Sequence, residues 1–216
     1  MKRRNIVITV IVVAGILLIA GGYIFIRLYT PKYSWYENLT PKNEQPYGNK
    51  ILYELLKESA GKNKLIDFTA GNSETILKNK TNSSYMFFGT NYFIDSLQVV
   101  KLINFARSGN KVFISSTVQF DQFVGFWIGD TSIYPIDDYF SVDSIKTKLY
   151  LSNNSKDSTY SFYYQLAKKT DNYTWRYFTG SFMNYLDSNY SVTVLSTIDE
   201  GNPSFIKIKV GNGFVY

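Results

Sequence analysis

No charged residue interrupts the 21 positions that open at Ile6 and close at Ile26, and fourteen of them are Ile, Val, Leu or Phe. A helix rising about 1.5 Å per residue over that length covers the roughly 30 Å hydrocarbon layer of a bilayer. At about −0.3 to −0.6 kcal/mol for each such side chain near the bilayer centre, insertion is favoured by several kcal/mol. Beyond this run the pattern breaks into short periods. Residues 27–46 place Pro31, Pro41 and Pro46 among polar and aromatic side chains. That predicts a partly extended spacer, because proline and the residue before it disfavour helix. Helical spacing begins near Tyr47. Ile51, Leu52, Leu55 and Leu56 share one face, Lys50 and Glu54 stand at i and i+4, and Gly61 suits the stop. Residues 64–69 read as a strand on Leu65, Ile66 and Phe68, and residues 74–79 as a short helical or turn segment.

The clearest unit follows. Tyr85, Met86, Phe87 and Phe88 form an apolar strand closed by Gly89. Asp95 is placed to cap the next helix, with Gln98 at its third position. Leu97, Val100 and Ile103, with Val99, Leu102, Phe105 and Ala106, give that helix a broad apolar face. Gly109 ends it, and residues 111–115 return as a strand through Val112, Phe113 and Ile114. Strand, helix, glycine and strand in this order predict a βαβ crossover with parallel strands. A further helix is expected over residues 118–128, stopping at Gly129. After Ile133 the character changes to short runs rich in Tyr, Phe, Val, Ile and Thr, at residues 139–151, 159–166, 173–178, 192–198 and 205–210. These read as strands, with one helical turn at residues 182–186. Gly213, Phe214, Val215 and Tyr216 read as one more strand. A domain rarely ends on an apolar strand without a polar tail, which predicts a truncated reading frame or a fragment.

A secretory signal has a shorter apolar core of about 7–15 residues and ends in small residues. Here the run passes Gly21 and Gly22 into Tyr23, Ile24, Phe25 and Ile26, then meets Arg27, so a retained anchor is expected. Tyr23, Tyr29, Tyr33, Trp35 and Tyr36 supply amphipathic rings suited to the headgroup level. Lys2, Arg3 and Arg4 precede the run and Arg27 and Lys32 follow it. With the free amine, that count favours the N-terminus in the cytoplasm and the bulk of the chain outside it. The expected organisation is a basic cytoplasmic end (1–5), a transmembrane helix (6–26), a juxtamembrane spacer (27–46) and an extracytoplasmic α/β domain (47–216).

Net charge is +6, but the first 32 residues hold five of the 23 basic residues and none of the 17 acidic ones. The remainder therefore carries 18 basic against 17 acidic residues, and shows no excess that would point to nucleic acid. The absence of Cys excludes disulfides, thiolate metal sites and thiol nucleophiles, and the absence of His excludes imidazole acid–base steps and Ser-His-Asp triads. A Cys-free extracytoplasmic domain also reads as bacterial. Glycosylation sequons start at Asn38, Asn79, Asn82, Asn153, Asn172 and Asn189, which is what a chain rich in Asn, Ser and Thr produces by composition.

Several segments together carry a resemblance. Ser34-Trp35-Tyr36, Gln45-Pro46-Tyr47-Gly48 and Leu52-Tyr53-Glu54-Leu55-Leu56 follow the anchor. Thr193-Val194-Leu195, Asn202-Pro203-Ser204-Phe205-Ile206-Lys207 and Val210-Gly211-Asn212-Gly213 close the chain. The sequence resembles the domain-of-unknown-function family 4350, membrane proteins common in the Bacteroidetes. That resemblance implies a Rossmann-like α/β fold similar to class I glutamine amidotransferase domains. It also implies gene neighbours encoding a MoxR-type AAA ATPase and von Willebrand-type proteins. Family members continue past the Val-Gly-x-Gly stretch with a Phe-Thr-Asn segment and another apolar helix. Both are missing here, in line with truncation. The family has no established catalytic residues to carry over.

In an open parallel sheet, ligands bind beyond the C-terminal strand ends, here Gly89-Thr90-Asn91 and Ser115-Ser116-Thr117. An amidotransferase-like enzyme needs a Cys and a His that this chain lacks, so Ser115 and Ser116 read as polar turn residues. Asp137, Asp138 and Asp143 match no calcium-loop spacing and read as solvated turn carboxylates. Gly211 and Gly213 are half a dinucleotide fingerprint and suit a hairpin turn better. No catalytic, cofactor or metal residue is assigned. Tyr160, Phe162, Tyr163 and Tyr164, then Tyr173, Trp175, Tyr177 and Phe178, are candidates for a glycan- or peptide-contacting surface, against the plainer reading of core and cross-strand pairs. The expectation is a non-enzymatic, membrane-anchored assembly module. The alternatives are a degenerate hydrolase-like or amidotransferase-like enzyme and an envelope glycan-binding module.

Overall fold

The apolar run forms a single helix, α1 (Lys2–Tyr29), longer at both ends than the uncharged stretch. In the computed structural model, the described residues are 2–30, 33, 37–61, 64–66, 77, 80–90, 95–116, 137–150, 158–163, 172–178, 190–199 and 201–216. No residue of the apolar window of α1 is buried, so among the described residues nothing covers its side chains. That is compatible with a membrane segment and incompatible with a core helix. Thr9 returns its hydroxyl to the Asn5 carbonyl at 2.9 Å, which lowers the polar penalty of that group within the run. The rings of Phe25 and Tyr29, one turn apart, meet at a tilt with centroids 4.4 Å apart.

The Pro-containing spacer is extended only in part. Asn43 Nδ2 donates to the Asn38 carbonyl (2.7 Å), Asn49 Nδ2 to the Leu39 carbonyl (2.7 Å), and the Lys50 amide to the Asn43 carbonyl (3.3 Å). These bonds fold residues 38–50 into a closed loop at the head of α2 (Lys50–Ala60). Gly48 is required there, because a Cβ would collide with the Asn43 carbonyl. The expected Lys50–Glu54 pair is replaced by two others. Lys50 bonds Glu44 from the loop, and Glu54 faces Lys57 at 3.6 Å. Gly61 ends α2 as expected, at φ +82° and ψ 154°, a region that glycine alone enters freely. Residues 64–66 are not a strand, and the rest of that expected element lies outside the described residues.

β1 (Ser84–Gly89), α3 (Ser96–Arg107) and β2 (Lys111–Ser116) form the expected crossover, with β1 and β2 parallel from Ser84↔Lys111 to Gly89↔Ser116. The strand-rich remainder gives β3 (Asp137–Val142), β4 (Ser144–Leu149), β5 (Ser158–Tyr163), β6 (Tyr173–Phe178), β7 (Ser191–Ile198), β8 (Asn202–Val210) and β9 (Gly213–Val215). Seven strands make one mixed sheet in the order β1-β2-β9-β8-β7-β4-β5, and β3 pairs β6 in a separate antiparallel ribbon. β1, β2 and β9 are parallel, and every pairing from β9 to β5 is antiparallel. The chain is thus α/β, with a parallel third joined to an antiparallel flank. The expected helices at 118–128 and 182–186, and residues 74–76 and 78–79, lie outside the described residues. Leu77 packs against the core.

α3 covers one face. Asp95 caps it, its Oδ1 accepting the Gln98 amide at 2.7 Å. Val99, Leu102, Ile103, Phe105 and Ala106 are buried against Val112, Ile206, Ile208, Val210 and Val215. The buried face is narrower than the apolar one: Leu97 and Val100 are exposed. Asn110, fully buried, fastens three segments. Its Nδ2 donates to the Lys80 carbonyl (2.7 Å) and the Phe105 carbonyl (2.9 Å), and its Oδ1 accepts the Ser83 amide (2.9 Å). β9 passes so close that a Cβ on Gly213 would collide with the carbonyls of Asn110 and Ala106. Gly211, at φ +57°, makes the tight turn from β8 into β9. The hairpin reading of Gly211 and Gly213 therefore holds.

Candidate functional site

The strand-end residues singled out above meet structural duties. Ser116 Oγ donates to the Thr90 carbonyl at 2.9 Å, tying the end of β2 to the residue after β1. Ser115 is exposed and Asp95 is engaged in its cap. Asn91 and Thr117 lie outside the described residues. What surrounds these ends is aromatic. Phe88 and Phe113 are 5.2 Å apart, Phe113 and Phe205 5.7 Å, and Phe113 and Tyr216 6.5 Å between ring centroids. Since Val112 points into the core under α3, its neighbour Phe113 projects from the opposite face, and this half-buried aromatic cluster lies there. Lower on that face, Lys111, Phe214 and Lys209 stand in register across β2, β9 and β8. The Lys207 ammonium sits 4.2 Å from the Phe214 ring centroid. No sequence pattern reveals this cluster, because it depends on β9 lying between β2 and β8.

The Tyr-rich strands separate into two places. β5 ends the sheet, pairing only with β4 among the described residues, and five of its six residues are exposed. Its sequence, Ser-Thr-Tyr-Ser-Phe-Tyr, holds no charge and no proline. Phe162 reaches the β3–β6 ribbon, with its ring 6.3 Å from Trp175, and Trp175 meets Tyr173 edge-on at 5.0 Å. Trp175 Nε1 donates to the Val142 carbonyl at 3.2 Å, and Phe140 stacks on Tyr177 at 4.9 Å. Tyr177 and Phe178 thus serve packing, Phe178 against the core. Tyr160, Phe162 and Tyr163 remain accessible, Tyr163 at 72% exposure. Tyr164 lies outside the described residues.

Among the described residues no cluster of three or more His, Cys, Asp or Glu could hold a metal ion. Asp137 and Asp138 open β3, and Asp143 occupies the bend between β3 and β4. The shifted acids and bases lie elsewhere. The Lys50 hydrogen bond and charge hold the Glu44 carboxyl below its usual range, and the same pair raises Lys50. No protein-family model matches the chain, and no curated protein or solved structure matches it either, so function rests on the geometry above.

Proposed function

We propose that the chain is a membrane-anchored, non-enzymatic module whose α/β domain assembles with partner proteins through the free edge of β5. The observation that carries this reading is that edge. An uncharged, aromatic strand, open on both faces and unpaired on one side among the described residues, is a template for strand addition. Proteins that have no use for such an edge block it with lysine, proline or a covering segment. The enzymatic alternative draws no support from the strand ends, where Asp95 and Ser116 serve a helix cap and an inter-strand bond in a chain without imidazole or thiol.

The finer reading is a Rossmann-like, amidotransferase-like domain on the periplasmic side of a bacterial inner membrane. The β1–α3–β2 crossover and the basic residues ahead of α1 favour it. The partners proposed with it, from the family resemblance, are a MoxR-type ATPase and von Willebrand-type proteins. The test is affinity capture of the intact protein from its own membrane beside a Tyr160→Lys, Phe162→Lys double variant. Co-purification of these subunits with the wild type and their loss from the variant is expected. Equal recovery from both overturns the reading. A glycan-binding alternative is favoured by the Phe162, Trp175 and Tyr173 ridge. It predicts cell-wall pull-down that disappears when Tyr163, Tyr173 and Trp175 are replaced.

A further inference from the structure

α2 divides into two sides. At 100° per residue, Ile51, Leu52, Leu55 and Leu56 fall on one side with Ser59 among them, Lys50, Glu54 and Lys57 fall on the other, and Glu58 stands at the border beside Ile51. Yet none of its residues is buried, and Ile51 and Leu55 are 77% and 58% exposed. The sheet core is filled by α3 instead. Leu52 and Leu56 are half-buried, and among the described residues nothing covers Ile51 and Leu55, so this amphipathic helix presents an apolar edge suited to another surface.

Chain connectivity identifies that surface. Asn49, immediately before α2, is hydrogen-bonded to the Leu39 carbonyl, so the head of α2 is tied to residue 39. Only nine residues separate Tyr29, the end of α1, from Leu39. At most about 3.4 Å per residue, they hold α2 within roughly 30 Å of the end of α1. Tyr33, Trp35 and Tyr36 lie in that short link, and their rings favour the headgroup level. A helix tethered so closely meets the bilayer surface at high effective concentration, which compensates for its short apolar stripe.

We propose that the apolar stripe of α2 lies on the surface of the bilayer that α1 crosses, making the membrane contact a two-point one. This rests on α1 as the anchor. The helix carries two lysines and two glutamates, so its own charge is balanced, and the contact needs no anionic lipid and is insensitive to salt.

The chain has no native cysteine, so single variants report cleanly. The full chain carrying Ile16→Cys, Leu55→Cys or Lys57→Cys is labelled with an environment-sensitive fluorophore and reconstituted into phosphatidylcholine vesicles containing spin-labelled lipid. Strong quenching is expected at position 16, and quenching severalfold greater at position 55 than at position 57, unchanged by salt. Quenching at 16 with none at 55 overturns the inference while leaving the anchor intact. Shielding of position 55 from aqueous iodide without lipid quenching also overturns it, by showing that protein covers the stripe. Absence of quenching at 16 removes the anchor and this inference together.

Discussion

The parallel third of the sheet and its antiparallel flank bury themselves in different ways. In β1, β2 and β9 the crossover that connects the strands is itself the cover: α3 lies over Val112 and Val215, and Ile103 is wholly removed from solvent. In the flank, successive strands pair antiparallel, and such pairing needs no covering helix. β4 buries only Ile145 and Thr147, and β5 buries nothing. Cohesion is thus concentrated where the topology forces a helix onto the sheet. β8 shares the cover of α3 through Ile206, Ile208 and Val210, while the outer flank, β4 and β5, is left with accessible side chains and, among the described residues, an open edge, the properties expected of a recognition surface.

Substitutions rank the two regions. Ile103→Ala empties the tightest point under α3 and is expected to cost about 4 kcal/mol, read as a large fall in the chemical-unfolding midpoint of the solubilised chain. Asn110→Ala leaves the Ser83 amide and two carbonyls without their partner, at an expected cost of about 3 kcal/mol in the same measurement. Asp95→Ala removes the cap of α3 for about 1 kcal/mol, and Asp95→Asn restores most of it. Phe162→Ala, in the flank, should change the midpoint by no more than about 0.5 kcal/mol while weakening partner capture. A flank substitution as costly as Ile103→Ala would erase the contrast. The smallest effect belongs to Glu44→Gln in the loop before α2. The Glu44–Lys50 pair contributes only where Glu44 is ionised and Lys50 protonated. It fades as pH falls through the lowered pKa of Glu44, and again as pH rises through the raised pKa of Lys50. Because the pair is exposed, the unfolding midpoint should scarcely move at neutral pH. An NMR titration should find Glu44 below the ordinary carboxylate range, and Lys50→Gln should return it there.

The sequence pattern foretold the crossover because each of its signals is local: an apolar run closed by Gly89, the Asp95 cap, the 3.6-residue apolar period and Gly109. The later strands were also legible from their Tyr, Phe, Val and Thr content, β6 to the residue, but the single run expected at residues 139–151 breaks at Asp143 into β3 of the ribbon and β4 of the sheet. Strand order was not. That Lys111 lies beside Phe214, a hundred residues later, depends on burial summed over the whole sheet, and no local period encodes it. The aromatic cluster about Phe113 was hidden for the same reason. Asn110 gave no warning because a buried amide and a turn amide look alike in a sequence. Lys50 took Glu44 instead of Glu54 because the folded loop brings Glu44 nearer than helical spacing suggests. The candidate surface at β5 was visible as composition, while its place at the sheet edge was not.

β9 is the hydrogen-bonded bridge between β2 and β8, and it follows every other described strand in chain order. During synthesis the parallel and antiparallel portions must therefore wait side by side until residues 213–215 emerge. Closing the sheet then pairs segments a hundred positions apart, a slow kind of step. With α1 as the proposed anchor, a nascent chain would spend that interval with its unfinished centre open beside the membrane, the stage at which a chaperone would matter most.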